Sequence, residues 1–307
     1  MGLFHSKQPT SMTRAISQFV LIVACLAPLA ARAEVAAIYL INPDGSGARP
    51  VVKMPGYAWH GSPNWSPDGA RLAFDANASI GGDTHQFTAK SDGSDIQDLG
   101  VGWMPSWSPD GKQLTFFITG NNRSQLKAGV WVMNADGSGR EWLCGGWCPR
   151  WSPDGASIAY ASNHEGQDSI YVLDIVENTS RRLFTNKFDQ INGGTSWSPD
   201  SKQIAMIVRQ QGEWQLCTVA LTGPRTVTMH FANANLGHHP AWSPDGKRIA
   251  FWLRAASRSP TKLNVLELNV GAAPRELADQ GDWPHNTDPA WSPDGKTLAI
   301  VSDRPAP

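Results

Sequence analysis

Tryptophan and histidine are concentrated in the short segments that precede a recurring Trp-Ser-Pro-Asp phrase. An indole offers a flat apolar surface to a peptide or a sugar, and an imidazole can fix the orientation of such a ligand through hydrogen bonds. Segments that surround a common axis would bring these side chains together. We therefore predict a ligand-binding site formed by Trp59, His60, Trp103, Trp147, His238, His239, Trp283 and His285.

Half of these residues are histidines, which makes a metal site an alternative use of the same segments. Neutral imidazoles with a carboxylate or an amide suit a divalent transition ion. The chain has no H-E-x-x-H motif or comparable closely spaced signature. We therefore predict no cofactor, and the ligands of the alternative metal site would come from His60, His238, His239 and His285.

Other chemistries lack their usual sequence signals. The G-x-S-x-G motif of a nucleophilic serine is absent, and we interpret the aspartates of the recurring phrase as turn residues. The formal net charge is −1 and no run of lysine or arginine occurs, which disfavours nucleic acid and anionic membranes as partners. Binding without catalysis is therefore the preferred interpretation, and we assign no catalytic residue.

The recurring phrase occurs six times and indicates the architecture that must position these side chains. Five copies read WSPDG, and the fourth has Ser201 in place of glycine. The intervals between copies are 42, 44, 46, 45 and 49 residues, and a repeat of this length holds about four short strands, the size of one propeller blade. The tryptophans of the phrase, called here the repeat tryptophans, are Trp65, Trp107, Trp151, Trp197, Trp242 and Trp291.

Each repeat alternates turn signals with short apolar runs. Ser-Pro-Asp-Gly is typical of a type I hairpin turn in which glycine supplies a positive φ. The run that follows, such as Leu72-Ala73-Phe74, predicts a buried strand. A second turn, clearest around Asn134-Ala135-Asp136-Gly137, follows about 25 residues later. The predicted fold is all-β: a six-bladed β-propeller with four antiparallel strands in each blade.

The two ends of the chain hold complementary halves of one blade. Residues 290–302 supply two strands after the last copy of the phrase, and residues 36–52 supply two strands before the first copy. Pairing of these segments would close the ring and leave no open sheet edge. We therefore predict that the last blade is closed by residues 36–52 pairing with residues 290–302.

Strand direction predicts which face of the propeller carries the binding site. Because successive strands are antiparallel, all the Ser-Pro-Asp-Gly turns and the second turns lie on one face. The segments before each phrase lie on the opposite face, around the mouth of the central channel. We therefore assign the predicted site to the face opposite the turns.

The blade pattern, WSPDG with an apolar run and a later Asp-Gly turn, resembles the propeller repeat of TolB, the periplasmic protein of the Tol–Pal envelope system. The resemblance covers the chain after its N-terminal segment and implies the fold, an envelope location and a binding function. TolB proteins carry a smaller α/β domain ahead of the propeller, which we do not expect here. Lyases on related propellers hold a metal with histidines at the channel mouth. The resemblance thus also implies the alternative of a metal-dependent lyase or hydrolase acting on polysaccharide.

The N-terminal segment has the features of an export signal: two basic residues, an apolar stretch at residues 15–30 and the small-residue site Ala31-Arg32-Ala33. We expect residues 1–33 to be a signal peptide and residues 34–307 to form the propeller. The alternative is a lipoprotein anchored at Cys25, since residues 22–25 fit the lipid-attachment pattern. The protein would then be periplasmic or secreted in the first case, and membrane-anchored in the second.

Three cysteines remain in the predicted mature chain: Cys144, Cys148 and Cys217. An oxidising compartment permits a disulfide between Cys144 and Cys148, and three unpaired buried thiols are the other possibility. Taken together, the sequence predicts an exported monomer without a membrane span. It would bind a protein, a peptide or a glycan in the bacterial cell envelope.

Overall fold

The computed structural model describes residues 36–77, 83–184, 188–223, 225–256, 259–268, 271, 273–281, 283 and 285–304. The predicted signal peptide and Cys25 lie outside the described residues. In the described part of the chain, the regular structure consists of β-strands, and no helix there is long and apolar enough to cross a membrane.

Six four-stranded antiparallel sheets form the blades, which we number in chain order. The first two strands of the chain are β1 (Ala37–Ile41) and β2 (Arg49–Val52). Blade 1 consists of β3 (Trp59–Trp65), β4 (Arg71–Asn77), β5 (Thr84–Lys90) and β6 (Gln97–Val101). Blade 2 consists of β7 (Trp103–Trp107), β8 (Gln113–Ile118), β9 (Gly129–Asn134) and β10 (Glu141–Cys144). Blade 3 consists of β11 (Trp147–Trp151), β12 (Ser157–Ser162), β13 (Ser169–Asp174) and β14 (Thr179–Arg182).

The second half of the chain continues the same pattern. Blade 4 consists of β15 (Gln190–Trp197), β16 (Gln203–Gln210), β17 (Glu213–Ala220) and β18 (Val227–Asn233). Blade 5 consists of β19 (Ala241–Trp242), β20 (Arg248–Arg254), β21 (Thr261–Glu267) and β22 (Arg275–Glu276). Blade 6 contains the last two strands, β23 (Asn286–Trp291) and β24 (Leu298–Ser302), together with β1 and β2.

Blade 6 is assembled from both ends of the chain, in the strand order β2-β1-β24-β23. Five residue pairs join β1 to β24, from Ala37 with Ser302 to Ile41 with Leu298. The Tyr39 hydroxyl also donates a 2.6 Å hydrogen bond to the carbonyl of Arg304. The predicted closure of the ring by the two chain ends is confirmed, and so is the six-bladed fold.

The Ser-Pro-Asp-Gly turns are held by the same hydrogen bonds in every blade. In blade 1, the Ser66 hydroxyl donates to the Asp68 carboxylate at 2.6 Å, and the amide of Ala70 donates to the same oxygen at 3.0 Å. The equivalent bonds recur in the other five turns. Gly69 has a φ of 69°, and Ser201 has a φ of 59° in the fourth copy, so a residue with a Cβ occupies a left-handed position there.

The second turn of a blade lies beside its first turn, as the strand directions predict. In blade 1, the amide of Ser91 donates to the carbonyl of Ala70 at 2.9 Å, and blade 2 repeats this bond between Ala135 and Lys112. Both kinds of turn therefore share one face of the ring.

The hydrophobic core lies between neighbouring blades. Six apolar clusters correspond to the six blade interfaces, and each draws residues from two adjacent sheets. Small residues in the second strands, such as Ala73, Ala159 and Ala250, are fully buried and allow the sheets to approach closely. The core thus holds each innermost strand in place around the axis.

Candidate binding site in the axial channel

The innermost strands β3, β7, β11, β15, β19 and β23 surround the axis, and each contacts the next around the ring. Pairing with the second strand shifts register midway along five of them. In five of the blades, the residue at this level precedes a proline and has a positive φ, for example 57° at His239 and 50° at Asp288. Proline cannot donate to the sheet, so the ladder is broken there and the chain kinks.

A cavity of about 410 Å³, called here the axial cavity, extends from this kink toward the Ser-Pro-Asp-Gly turns. All six repeat tryptophans line its wall. Its floor, at the level of the kinks, is formed by Ser62, Arg150, Thr195, His239 and Asp288. Its rim is formed by the turn prolines Pro67, Pro109, Pro153, Pro199, Pro244 and Pro293. The axial cavity therefore opens at the end of the channel that carries the turns, which we call the turn end; the other is the loop end.

Two pre-proline residues form a hydrogen-bonded pair on the floor. His239 Nδ1 lies 3.0 Å from Asp288 Oδ1, and the two side chains are only 17% and 12% exposed. Within the described residues, the other ring nitrogen of His239, Nε2, is buried and has no hydrogen-bond partner. The edge of the ring that carries Nε2 lies against Gly194, so this unused polar atom is enclosed at the floor.

Carboxyl groups near the floor differ in their preferred protonation. Burial raises the pKa of Asp75 to about 7, although its Oδ2 accepts a 2.7 Å hydrogen bond from the amide of Met104. Burial also acts to raise the pKa of Asp288, but the hydrogen bond and the charge of His239 outweigh it, so this pKa lies below its usual value. Asp288 is thus the carboxylate that carries the negative charge, while Asp75 favours the neutral acid.

Arg150 is the cation of the floor. It stands directly before the repeat tryptophan of blade 3, and burial lowers the pKa of its guanidinium. Within the described residues, its guanidinium makes one hydrogen bond, a long contact of 3.4 Å from Nη1 to the carbonyl of Pro105. Most of its N–H donors are therefore available to a molecule in the axial cavity.

The predicted binding residues are distributed over several environments, and His239 alone among them lines the axial cavity. Trp103 and Trp147 come together at the loop end, where both pack on a cluster of Met104, Phe117 and Cys148. Trp59 lies over Gly61, where a Cβ would collide with its ring. Trp59 thus packs on its own strand, and the axial cavity opens at the turn end, opposite the face to which the sequence assigns the site.

The four predicted histidines have different partners. His60 is fully buried, accepts the amide of Met54 at Nε2 and bonds the carbonyl of Ala36 through Nδ1, so both ring nitrogens are engaged. His238 follows Gly237 and packs against Trp252, and burial lowers its pKa to about 4.

At the loop end of blade 6, Trp283 lies against Gly281, and His285 pairs with Asp303 at 3.0 Å. In the described chain, no ring contact joins Trp59, His60, Trp283 or His285 to the other predicted residues. Among the described residues, His238 and His239 are in ring contact, and Trp103 and Trp147 share one apolar cluster.

No group of three or more histidine, cysteine, aspartate or glutamate side chains in the described residues has a geometry that could hold a metal ion. Cys144, Cys148 and Cys217 are all unpaired, so of the two possibilities left open for the cysteines the structure has the free thiols. Burial raises the pKa of Cys148 to about 12, which makes it an unreactive structural thiol.

Sequence reasoning missed Arg150, Asp288 and Asp75. Alignment of the six copies does contain a signal for the first two. Five copies have proline two residues before the repeat tryptophan, and the residues that flank this proline are mostly small or polar. Three blades have a charged or titratable side chain beside this proline, namely His239, Asp288 and Arg150. All three residues line the floor of the axial cavity.

Comparison with known proteins identifies the same architecture. The family described as the TolB beta propeller domain matches residues 103–236. A protein described as a TolB of Agrobacterium tumefaciens superposes with a TM-score of 0.71 at 22% identity, over 89% of this chain and 99% of that one. TolB from Acinetobacter baumannii gives a TM-score of 0.63 at 18% identity, over 98% of this chain and 72% of that one.

A protein with a different activity shares the fold. An oligogalacturonate lyase in complex with manganese gives a TM-score of 0.56 at 13% identity, over 87% of this chain and 82% of that one. Similarity at this level of identity concerns the fold alone. The family match in the middle of the chain and the superpositions over most of its length agree that this chain has the fold of a TolB-like β-propeller.

Proposed function

We propose that the chain is an exported, non-enzymatic binding module of the bacterial cell envelope. Its partner is a protein, a peptide or a glycan that places a segment in the axial cavity. The observation that carries this proposal is the cavity itself, which combines an aromatic wall with a polar floor where most N–H donors of Arg150 have no hydrogen-bond partner in the described residues. Its volume lies within the range of about 300–1,000 Å³ that is usual for ligand sites.

The construction of the wall supports binding without rearrangement. Each repeat tryptophan stands between two blades, and three of them donate an indole hydrogen bond to a neighbouring blade, as Trp197 does to the carbonyl of Arg150 at 3.0 Å. A wall fixed in this way loses little conformational entropy when a ligand binds.

A metal-dependent enzyme acting on polysaccharide is the second function that the sequence suggested. The described residues supply no set of metal ligands. The similarity to a manganese-bound lyase supports a shared fold and no more, so we do not propose this activity. Elemental analysis of the purified protein tests this choice, because a stoichiometric transition metal would restore the enzyme hypothesis.

The binding proposal is tested by capture of partners from envelope extract with two matched double variants. His239→Ala with Asp288→Ala changes the floor of the axial cavity, and Trp283→Ala with His285→Ala changes the loop end. We expect the floor variant to lose the partners that the unmodified protein captures and the loop-end variant to keep them. If the loop-end variant loses them instead, the predicted site at that end is correct and the cavity proposal is wrong.

Export is tested separately, on the N-terminus of the protein made in its host. We expect mass spectrometry to find a soluble protein that begins at Glu34, directly after the predicted cleavage site. A lipid-modified protein that begins at Cys25 would establish the anchored alternative.

A further inference from the structure

We infer that the floor of the axial cavity binds a carboxylate, held by Arg150, which a peptide segment of the partner carries into the channel. This inference rests on the proposed function and adds the chemistry of the group that is bound. Arg150 is set apart by its position in the repeat, by the absence of an ion pair within the described residues and by the pairing of His239 with Asp288.

The position of Arg150 has a different use in other blades. The equivalent residues Asn64, Ser106 and Ser196 use their side chains to accept the backbone amide of the next repeat tryptophan, at 2.8–3.2 Å. The remaining two blades have Ala241 and Ala290 there. Arginine has no acceptor atom and cannot make this bond, so blade 3 gives up an inter-blade hydrogen bond and places a cation at the axis instead.

Arg150 forms no ion pair with a carboxylate of the described residues, although the charges of Asp288 and Asp75 act on its guanidinium from a longer distance. No carboxylate lies within 4.0 Å of its guanidinium, and Asp288 is bonded to His239 instead. A guanidinium has five N–H donors arranged in a fork that matches a carboxylate, and Arg150 uses one of them in a long contact. Since charged groups away from bulk water are normally paired, a ligand anion is the partner that this site lacks.

His239 keeps the Asp288 carboxylate engaged on the floor. Asp288 accepts the hydrogen bond from Nδ1, which fixes the orientation of the ring, and the opposite edge of the ring lies against Gly194. Because Asp288 is bonded to His239, the guanidinium of Arg150 remains the group on the floor that can take a carboxylate.

The charge and shape of the floor favour a carboxylate on a peptide. One arginine balances a single negative charge, while Asp288 nearby disfavours a doubly charged phosphate. The lining of the cavity begins at the proline rim and ends at the floor, so it accepts a side chain or a chain end that enters from one side. The interior of a polysaccharide would need a groove that continues past the site.

The test is a titration of the full-length mature protein with capped tripeptides that differ only in their carboxylate. One peptide has a glutamate side chain, a second has a free C-terminal carboxylate, and a third has glutamine and an amidated end. Binding is followed by the fluorescence of the repeat tryptophans and by saturation-transfer NMR. We expect one or both carboxylate peptides to bind at least about tenfold more tightly than the neutral peptide, and their ranking identifies the source of the carboxylate.

Variants assign the binding to the floor. Arg150→Gln should remove the preference for the carboxylate, Arg150→Lys should keep part of it, and His239→Gln should weaken it. Arg248→Gln is the matched control, because Arg248 lies near the turn end but already pairs with Asp245 at 3.1 Å. The melting temperature of Arg150→Gln should not fall, since this arginine has no ion pair to lose, whereas a structural role predicts a lower value.

The outcomes separate this inference from the proposed function. Equal binding of neutral and charged peptides, unchanged binding by Arg150→Gln, or no binding of any carboxylate peptide at millimolar concentration overturns the inference. Preferential binding of oligogalacturonate over both acidic peptides would also overturn it in favour of a glycan. The capture experiment with the double floor variant decides the proposed function independently, because it does not depend on which chemical group is bound.

Discussion

The turn end and the loop end of the channel are built in opposite ways. At the turn end, every blade repeats the same serine, proline and aspartate with the same hydrogen bonds. At the loop end, each blade is different: Trp59 covers a glycine, Trp103 and Trp147 share an apolar cluster, and His285 binds Asp303. The repetitive end surrounds an open cavity, whereas these side chains of the irregular end pack on backbone, on an apolar cluster or against a carboxylate.

This difference teaches where function is found in a repeated fold. Repetition at the turn end produces a rigid circular wall, and the wall alone would be chemically uniform. Chemistry arises where single blades depart from the pattern, as blade 3 does with Arg150 and blades 5 and 6 do with His239 and Asp288. Four predictions test whether the two ends differ in the way that this description requires.

The largest expected effect is a difference in stability loss between two alanine variants, one at a tryptophan of the turn end and one at a tryptophan of the loop end. Trp291 is 8% exposed, donates to the carbonyl of Ala241 at 3.2 Å and carries the guanidinium of Arg248 over its ring. Trp291→Ala should lower the free energy of unfolding by about 3–5 kcal/mol, as loss of a buried aromatic does. Trp283→Ala should cost about 1 kcal/mol, because that indole is half-buried. Equal losses in urea denaturation would contradict a structural difference between the ends.

A pH-dependent effect of similar size is expected at Asp75. Its pKa is about 7 in the folded protein but near 4 in an unfolded chain, so folding takes up a proton between these values. The free energy of unfolding should therefore fall as the pH rises from about 5 to about 7, by on the order of 3 kcal/mol from this group. Asp75→Asn should remove that part of the slope. Parallel pH profiles for the two proteins would show that Asp75 is ionised in the folded state.

A smaller effect is expected for the hydrogen bonds that join the blades near the cavity wall. The amide of Trp107 donates to Asn64 Oδ1 at 2.8 Å, and Asn64→Ala should lower the free energy of unfolding by about 1–2 kcal/mol by leaving this amide without an acceptor. Ala290→Ser is the control at the equivalent position. There the indole of Trp65 already binds the backbone carbonyl, so the change should stay within about 0.5 kcal/mol. A larger loss in the control would mean that the ring positions are not equivalent.

The smallest effect is expected at the one irregular turn of the repetitive end. Ser201 has a left-handed backbone, but its hydroxyl accepts the amide of Asp154 in the neighbouring turn at 3.0 Å. Ser201→Gly relieves the strain and removes the bond, and because each is worth about 1 kcal/mol the net change should be within about 0.5 kcal/mol. Ser201→Ala keeps the backbone strain but lacks the hydrogen bond, so it should lower the free energy of unfolding by about 1 kcal/mol. Thermal unfolding of both variants measures these changes. A stability loss for glycine that exceeds the loss for alanine would contradict the left-handed conformation.

The sequence predicts the turn end almost completely, because turns and short buried strands depend on local residue types. The phrase at Ser66 to Gly69 determines its own hydrogen bonds, and six copies at one interval determine the ring. Closure by residues 36–52 follows from counting strands, and the structure confirms it.

The site could be predicted only in part, because it depends on side-chain packing between blades. His239 stands in both the predicted site and the axial cavity, but the sequence does not show that the kink before Pro240 directs it to the turn side. The prediction assigns the aromatic residues of the loop end to ligand contact because of their chemistry. Whether an indole is open or folded onto a glycine, as Trp59 is on Gly61, depends on backbone geometry that no local pattern encodes.

The pairing of β1 with β24 also has a consequence for the order of events during synthesis. Residues that pair between β1 and β24 are as many as 265 positions apart in the sequence. The first strand to be synthesised, β1, can therefore pair with β24 only after the last strand has been made. Contacts of such long sequence separation slow folding. The ring cannot close before residue 302 has been made, so blade 6 stays incomplete throughout the synthesis of the chain. After the ring has closed, the pairing of β1 with β24 must break before either end of the chain can detach, so this pairing holds both ends of the finished protein.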